Sequence, residues 1–122
     1  MNNTSNFEFG EVFKKRTKAF ALDIIKLYQG LPKTGEAKVI GNQFLRSGTS
    51  VAANYRAACR GRSTREFYSK LCIVVEEADE TEFWLEILEE AGILVSEKLK
   101  ELRKEASEIL SITSKARANV RK

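Results

Sequence analysis

The chain has 122 residues, 43% apolar and 31% charged, with 21 Lys and Arg against 17 Asp and Glu and a formal net charge of +4. That balance describes one soluble domain with a real core rather than a disordered chain, and no apolar run reaches the roughly 20 residues a membrane span needs. Histidine is absent, which removes the commonest general base and metal ligand, and no phosphate loop or G-x-S-x-G elbow occurs, so the composition predicts a non-enzymatic protein without metal or cofactor.

The opening stretch, MNNTSNFEFGE, lacks the basic start and apolar run of a signal peptide, which predicts a cytoplasmic location. Residues 1–7 are expected to fray. The first helix is predicted from about Glu11 to Gln29, with Phe13, Thr17, Phe20, Ile24 and Leu27 on one face, and Gly30 and Pro32 stop it. The second begins near Glu36 with Thr34 as cap and ends at about Arg60, facing inward with Ile40, Phe44, Ser47, Val51, Tyr55 and Ala58.

The third helix starts on the clearest local signal in the chain. Ser63 and Glu66 form an S-x-x-E capping box, in which each side chain satisfies an orphan amide. Phe67, Leu71, Val74, Ala78, Thr81, Leu85 and Leu88 then repeat at steps of four and three, a heptad seam that runs to Gly92. Ser96 caps a fourth helix whose Leu99, Leu102, Ala106, Ile109, Thr113, Ala116 and Val120 keep the same rhythm, with residues 119–122 expected to fray. Four amphipathic helices joined by connections of a few residues predict an all-α, up-down-up-down antiparallel four-helix bundle spanning 1–122 as one domain. Cys59 and Cys72 flank the central turn. In a hairpin about that turn they lie about two helical turns apart, too far for a disulfide, and read as small buried thiols in a reducing compartment.

This topology converts a scattered charge list into a polar molecule. One end gathers the start of the first helix, the central turn and the end of the fourth. It collects Lys14, Lys15, Lys18, Arg56 and Arg60, then Arg62 and Arg65, then Lys115, Arg117 and Arg121, with Arg16 and Lys122 nearby. Such a concentrated basic end attracts polyanions, which predicts RNA or DNA as a partner. The helix dipole accounts for bases late in a helix but not for Lys14, Lys15, Arg62 or Arg65. The third helix carries the opposite charge from Glu76 to Glu90, and Arg46 is placed to pair with Glu76, Asp79 or Glu80 and so to fix register. No aromatic-interleaved basic platform of the single-strand-binding kind is visible. The alternative reading is a protein-interaction scaffold, for a polymerase or another protein, that does not touch nucleic acid.

The second helix is rich in small residues, Gly48 and Ala52 among them, and the third carries Ile73, Phe83, Trp84 and Ile87 outside its seam. Apolar surface on two faces predicts a homo-oligomer with these six residues at its interface.

The strings RSGTSVAANYRAACRGRS and EEADETEFWLEIL resemble the bacterial four-helix-bundle family associated with intervening sequences in 23S rRNA genes. The family's Arg, Ser-Val, Asn and Gly-Arg-Ser pattern falls on Arg46, Ser50, Val51, Asn54, Gly61, Arg62 and Ser63. Its Glu-Ala-x-Glu-Thr, aromatic, Trp-Leu pattern falls on Glu77, Ala78, Glu80, Thr81, Phe83, Trp84 and Leu85. Where other members have an acidic Glu-Gly, this chain has Cys59, Arg60 and Gly61, a more basic turn. The family is similar to the accessory protein of diversity-generating retroelements, a pentamer that binds nucleic acid and a reverse transcriptase. The resemblance therefore implies an intracellular homo-oligomer, plausibly pentameric, with no catalytic residues; the retroelement role does not follow from shared fold.

Overall fold

The computed structural model describes residues 3–120, with side chains from Phe7 onward. Four helices follow in order: α1 (Asn3–Gln29), α2 (Gly35–Cys59), α3 (Thr64–Glu90) and α4 (Glu97–Ala118). No strand occurs among the described residues, and no helix is long and apolar enough to cross a membrane. Consecutive helices pack against each other and α4 returns to α1, which makes an antiparallel four-helix bundle.

The bundle follows the apolar rhythm of the chain. Phe13, Phe20, Ile24 and Leu27 of α1, Phe44, Val51 and Tyr55 of α2, Leu71, Val74, Leu85 and Leu88 of α3, and Leu99, Leu102 and Ile109 of α4 are all buried. Each helix also buries one hydroxyl: Thr17, Ser47, Thr81 and Thr113. These bond to a backbone carbonyl one turn back or to each other, as where Thr81 donates to Ser47 at 2.8 Å, so among the described residues the core holds polar groups without leaving any unpaired.

Local chemistry sets the helix ends. Thr34, Ser63 and Ser96 each accept from the amide three residues on. Glu66 reaches back to the amide of Arg62 at 2.8 Å, one residue before the position a capping box prescribes, and so ties down the central turn. At the end of α3, Gly92 has φ 71°, and the amides of Gly92 and Ile93 donate to the carbonyls of Glu89 and Leu88. This is a Schellman closure, whose left-handed position favours glycine. It makes the α3–α4 connection, residues 91–96, the longest internal one.

Helix α1 starts at Asn3 rather than near Glu11. Packing favours the extra turns: the Phe9 ring stacks on Phe13 at 5.7 Å, and a side chain at Gly10 would sit 3.7 Å from the Cys59 sulfur, so α1 runs close over the end of α2.

Candidate nucleic-acid interface

Five of the expected basic residues line one groove between α1 and α2. Lys14, Lys15 and Lys18 of α1 form one wall, and Ala52, Ala53, Arg56 and Arg60 at the end of α2 the other, around a volume of about 420 Å³. The groove is local in origin. Four-residue steps, Lys14 to Lys18 and Arg56 to Arg60, return to the same helix face about 6 Å further along. The short side chains of Ala52 and Ala53 on the α2 wall leave the groove open.

Most of the charges here differ from Arg16 and Arg103, which hold carboxylates across helices. Lys14 pairs with Glu11 at 2.7 Å. Lys15, Lys18, Arg56 and Arg60 make no ion pair among the described residues. By contrast, Arg16 spans to α4 and bonds both carboxylate oxygens of Glu105 at 2.7 and 2.8 Å and Glu108 at 2.8 Å. Arg103 holds Glu89 at 2.7 Å and Glu86 at 3.5 Å.

Arg62 and Arg65 are exposed at the central turn, and Lys115 and Arg117 occupy the last turn of α4. The four helix termini meet around an end pocket of about 710 Å³, lined by Arg62 and by residues of α1, α2, α3 and α4. The turn and the end of α4 therefore lie at the same end as the start of α1. Arg121 lies outside the described residues.

The end pocket holds what the sequence did not reveal. Phe7, Phe9 and Phe13 of α1, Tyr55 of α2 and Phe67 of α3 converge there. Phe13 meets Tyr55 edge-on at 4.8 Å, while Phe9 is 52% exposed. The Tyr55 hydroxyl bonds to the Cys59 thiol, and burial pushes the ionisation of both groups upward. Cys59 therefore stays a protonated, weakly reactive thiol at neutral pH. The aromatics come from three helices, so no linear motif contains them, and Phe7 falls in the segment expected to fray.

Arg46 crosses from α2 to α3 and binds Glu80 at 2.6 Å and Glu77 at 3.0 Å; Glu76 and Asp79 point elsewhere. The pair is on the surface rather than buried, with the Arg46 side chain 52% exposed. The guanidinium, and then the Trp84 indole N–H at 3.2 Å, hold the Glu80 carboxyl below its usual range. Gly48 does not face outward as an interface residue would. It is buried against α1, where a Cβ would meet Ile24 at 2.9 Å, so its smallness serves packing within the bundle. Ala52 borders the basic groove. Ile73, Trp84 and Ile87 are half-buried on α3, and Phe83 is 49% exposed, edge-on to Trp84 at 4.9 Å. Among the described residues no group of three or more Cys, Asp or Glu is placed to hold a metal ion.

Fold and surface together define a four-helix bundle with a basic groove between α1 and α2 and an acidic third helix. The chain belongs to the family described as 23S rRNA-intervening sequence protein, whose model matches residues 11–115. A similar solved structure is a protein of unknown function from the S23 ribosomal protein family of Bacteroides thetaiotaomicron. It shares 34% identity and a TM-score of 0.79 over 90% of this chain and 98% of that one. A search among curated proteins finds no match.

Proposed function

We propose that this protein is a non-enzymatic, cytoplasmic homo-oligomer that binds nucleic acid along the α1–α2 groove and the adjoining turn. The observation that carries the reading is the groove itself: five bases on two walls, four of them without a carboxylate partner among the described residues. Unpaired cations in a row attract phosphates and release counterions when they bind. The half-exposed Phe83 and the stripe of Ile73 and Ile87 on α3 support self-association, with a pentamer preferred over a dimer. If its subunits point the same way, the assembly gathers the grooves on one face.

The test compares wild type with the triple variant Arg60→Ala, Arg62→Ala, Arg65→Ala on duplex and structured RNA or DNA at two salt concentrations. The variant should bind all sequences more weakly and show a flatter salt dependence, with fold and assembly intact, since exposed charges contribute little stability. Equal binding by both proteins, or none by wild type at low salt, would favour the second reading. That reading is a protein-interaction scaffold, supported by the cleft of about 480 Å³ where Phe83 and Trp84 sit among acids of α3. Sedimentation as a 13.8 kDa monomer at micromolar concentration would reject the oligomer.

A further inference from the structure

The end pocket and the basic groove are adjacent. Glu11, on the pocket's lining, pairs at 2.7 Å with Lys14, on the groove's wall, and Cys59 of the pocket precedes Arg60 of the groove. Arg62 stands on the pocket's own rim. Beside a row of cations there is thus a cavity of about 710 Å³ that presents aromatic rings. Two of those rings, Phe7 at 68% and Phe9 at 52%, are more exposed than a core would leave them. Cations that track a phosphate backbone, next to aromatic faces that stack bases, are the two components of single-strand recognition. A base inside a continuous duplex is already stacked and cannot enter such a pocket without leaving the helix.

We infer that the end pocket takes an unstacked nucleobase, so that the protein prefers single-stranded or looped nucleic acid, with the backbone along Lys14, Lys15, Lys18, Arg56 and Arg60 and one base against Phe9. The inference rests on the nucleic-acid reading of the groove and adds to it the strandedness of the ligand. Phe9 is the residue to test, because it is half-exposed and its loss leaves the buried Phe13 and Tyr55 in place.

The experiment measures binding of an unstructured single strand, an abasic strand of the same length and charge, and the corresponding duplex, at low salt. Wild type should bind the intact strand about tenfold more tightly than the abasic one, within the range that stacking one base provides. Phe9→Ala should remove that difference without changing abasic binding, and Phe9→Trp should restore it. Equal affinity of wild type for intact and abasic strands overturns the pocket inference and leaves the groove reading standing. No binding to any of the three overturns the groove reading and this inference with it. A change in sedimentation of Phe9→Ala, with base preference unchanged, overturns the inference by showing that a second copy covers the pocket.

Discussion

Two sets of basic residues on this bundle have opposite surroundings. Arg16, Arg46 and Arg103 each bridge two helices and each hold two glutamates. Lys15, Lys18, Arg56 and Arg60 share one groove, and none of them has a carboxylate partner among the described residues. Carboxylates are not scarce, since the chain has 17. Glu76, Asp79 and Glu82 sit together around the Phe83–Trp84 cleft instead, away from the groove. Glutamates close the gaps between helices, where pairing fixes register, whereas at the groove Lys14 alone of the five bases has a carboxylate partner among the described residues, Glu11. The first set therefore reads as architecture and the second as a docking surface.

The strongest test of this division removes equal charge from each side. The variant Lys15→Ala, Lys18→Ala, Arg56→Ala loses three positive charges, taking +4 to +1. So does Arg16→Ala, Arg46→Ala, Arg103→Ala. If net charge alone drives binding, the two should bind alike. If the groove does, the first should lower the salt slope by about two to three units, at roughly 0.7–0.9 per lost phosphate contact, and weaken binding to all sequences. The second should keep most of both. Filter binding or anisotropy across a salt series measures this, and overlapping curves for the two variants would dissolve the distinction.

A second prediction concerns the frame that holds the groove. Replacing Gly48 with Val puts a side chain 2.9 Å from Ile24, which is β-branched and fully buried and so cannot turn aside. The wedge should cost about 1–3 kcal/mol, partly offset by the better helix propensity of Val. Thermal unfolding reports it, and an unchanged midpoint would mean that α1 and α2 are not held this closely. The glycine also shows where sequence reading reaches its limit. Heptad spacing identified the core faces of α3 and α4, and Ser63, Ser96 and Gly92 marked their ends, because those signals are local. Whether a small residue on α2 faces α1 or a second copy depends on the rotation of the helix within the bundle, which spacing alone does not set. Arg46 was legible as a cross-helix pair, but its acidic partners sit on successive turns of α3, and side-chain reach selected Glu77 and Glu80 over Asp79. The aromatic end pocket was not legible at all. Its rings come from α1, α2 and α3, so no single stretch of sequence displays them together.

The architectural set should also reveal itself in stability. Each of its ion pairs is partly exposed, the side chains of Arg16, Arg46 and Arg103 being 33%, 52% and 31% accessible. Solvent screening keeps such pairs to a few tenths of a kcal/mol up to about 1 each. The triple Arg16→Ala, Arg46→Ala, Arg103→Ala should therefore lose about 1–2 kcal/mol in urea unfolding, while the groove triple loses almost nothing. The loss should shrink in high salt. A groove triple as destabilised as the architectural one would show that the groove bases are structural after all.

Acid offers the smallest and most local probe of the same division. Within the Arg46 bridge, the guanidinium and then the Trp84 indole hold the Glu80 carboxyl below its usual range. A carboxyl whose ionisation is easier in the folded state stabilises that state above its unfolded pKa. The contribution then declines as pH falls through the depressed folded value. The bridge should thus contribute fully at pH 6 and weaken progressively below about pH 4, the ordinary range of a glutamate. Arg46→Ala removes the larger cause of the depression but leaves the indole, so its melting temperature should fall less between pH 6 and pH 3 than that of wild type. Glu80→Gln removes the titrating group, so its acid loss should be smaller still. The differences amount to a few tenths of a kcal/mol, because Arg46 and Glu80 are open to solvent at 52% and 36%. Calorimetry at matched ionic strength can resolve them as an ordering of three proteins. Parallel acid curves for all three would mean that Arg46 and Glu80 meet only transiently in solution, and would remove the α2–α3 bridge from the architectural set.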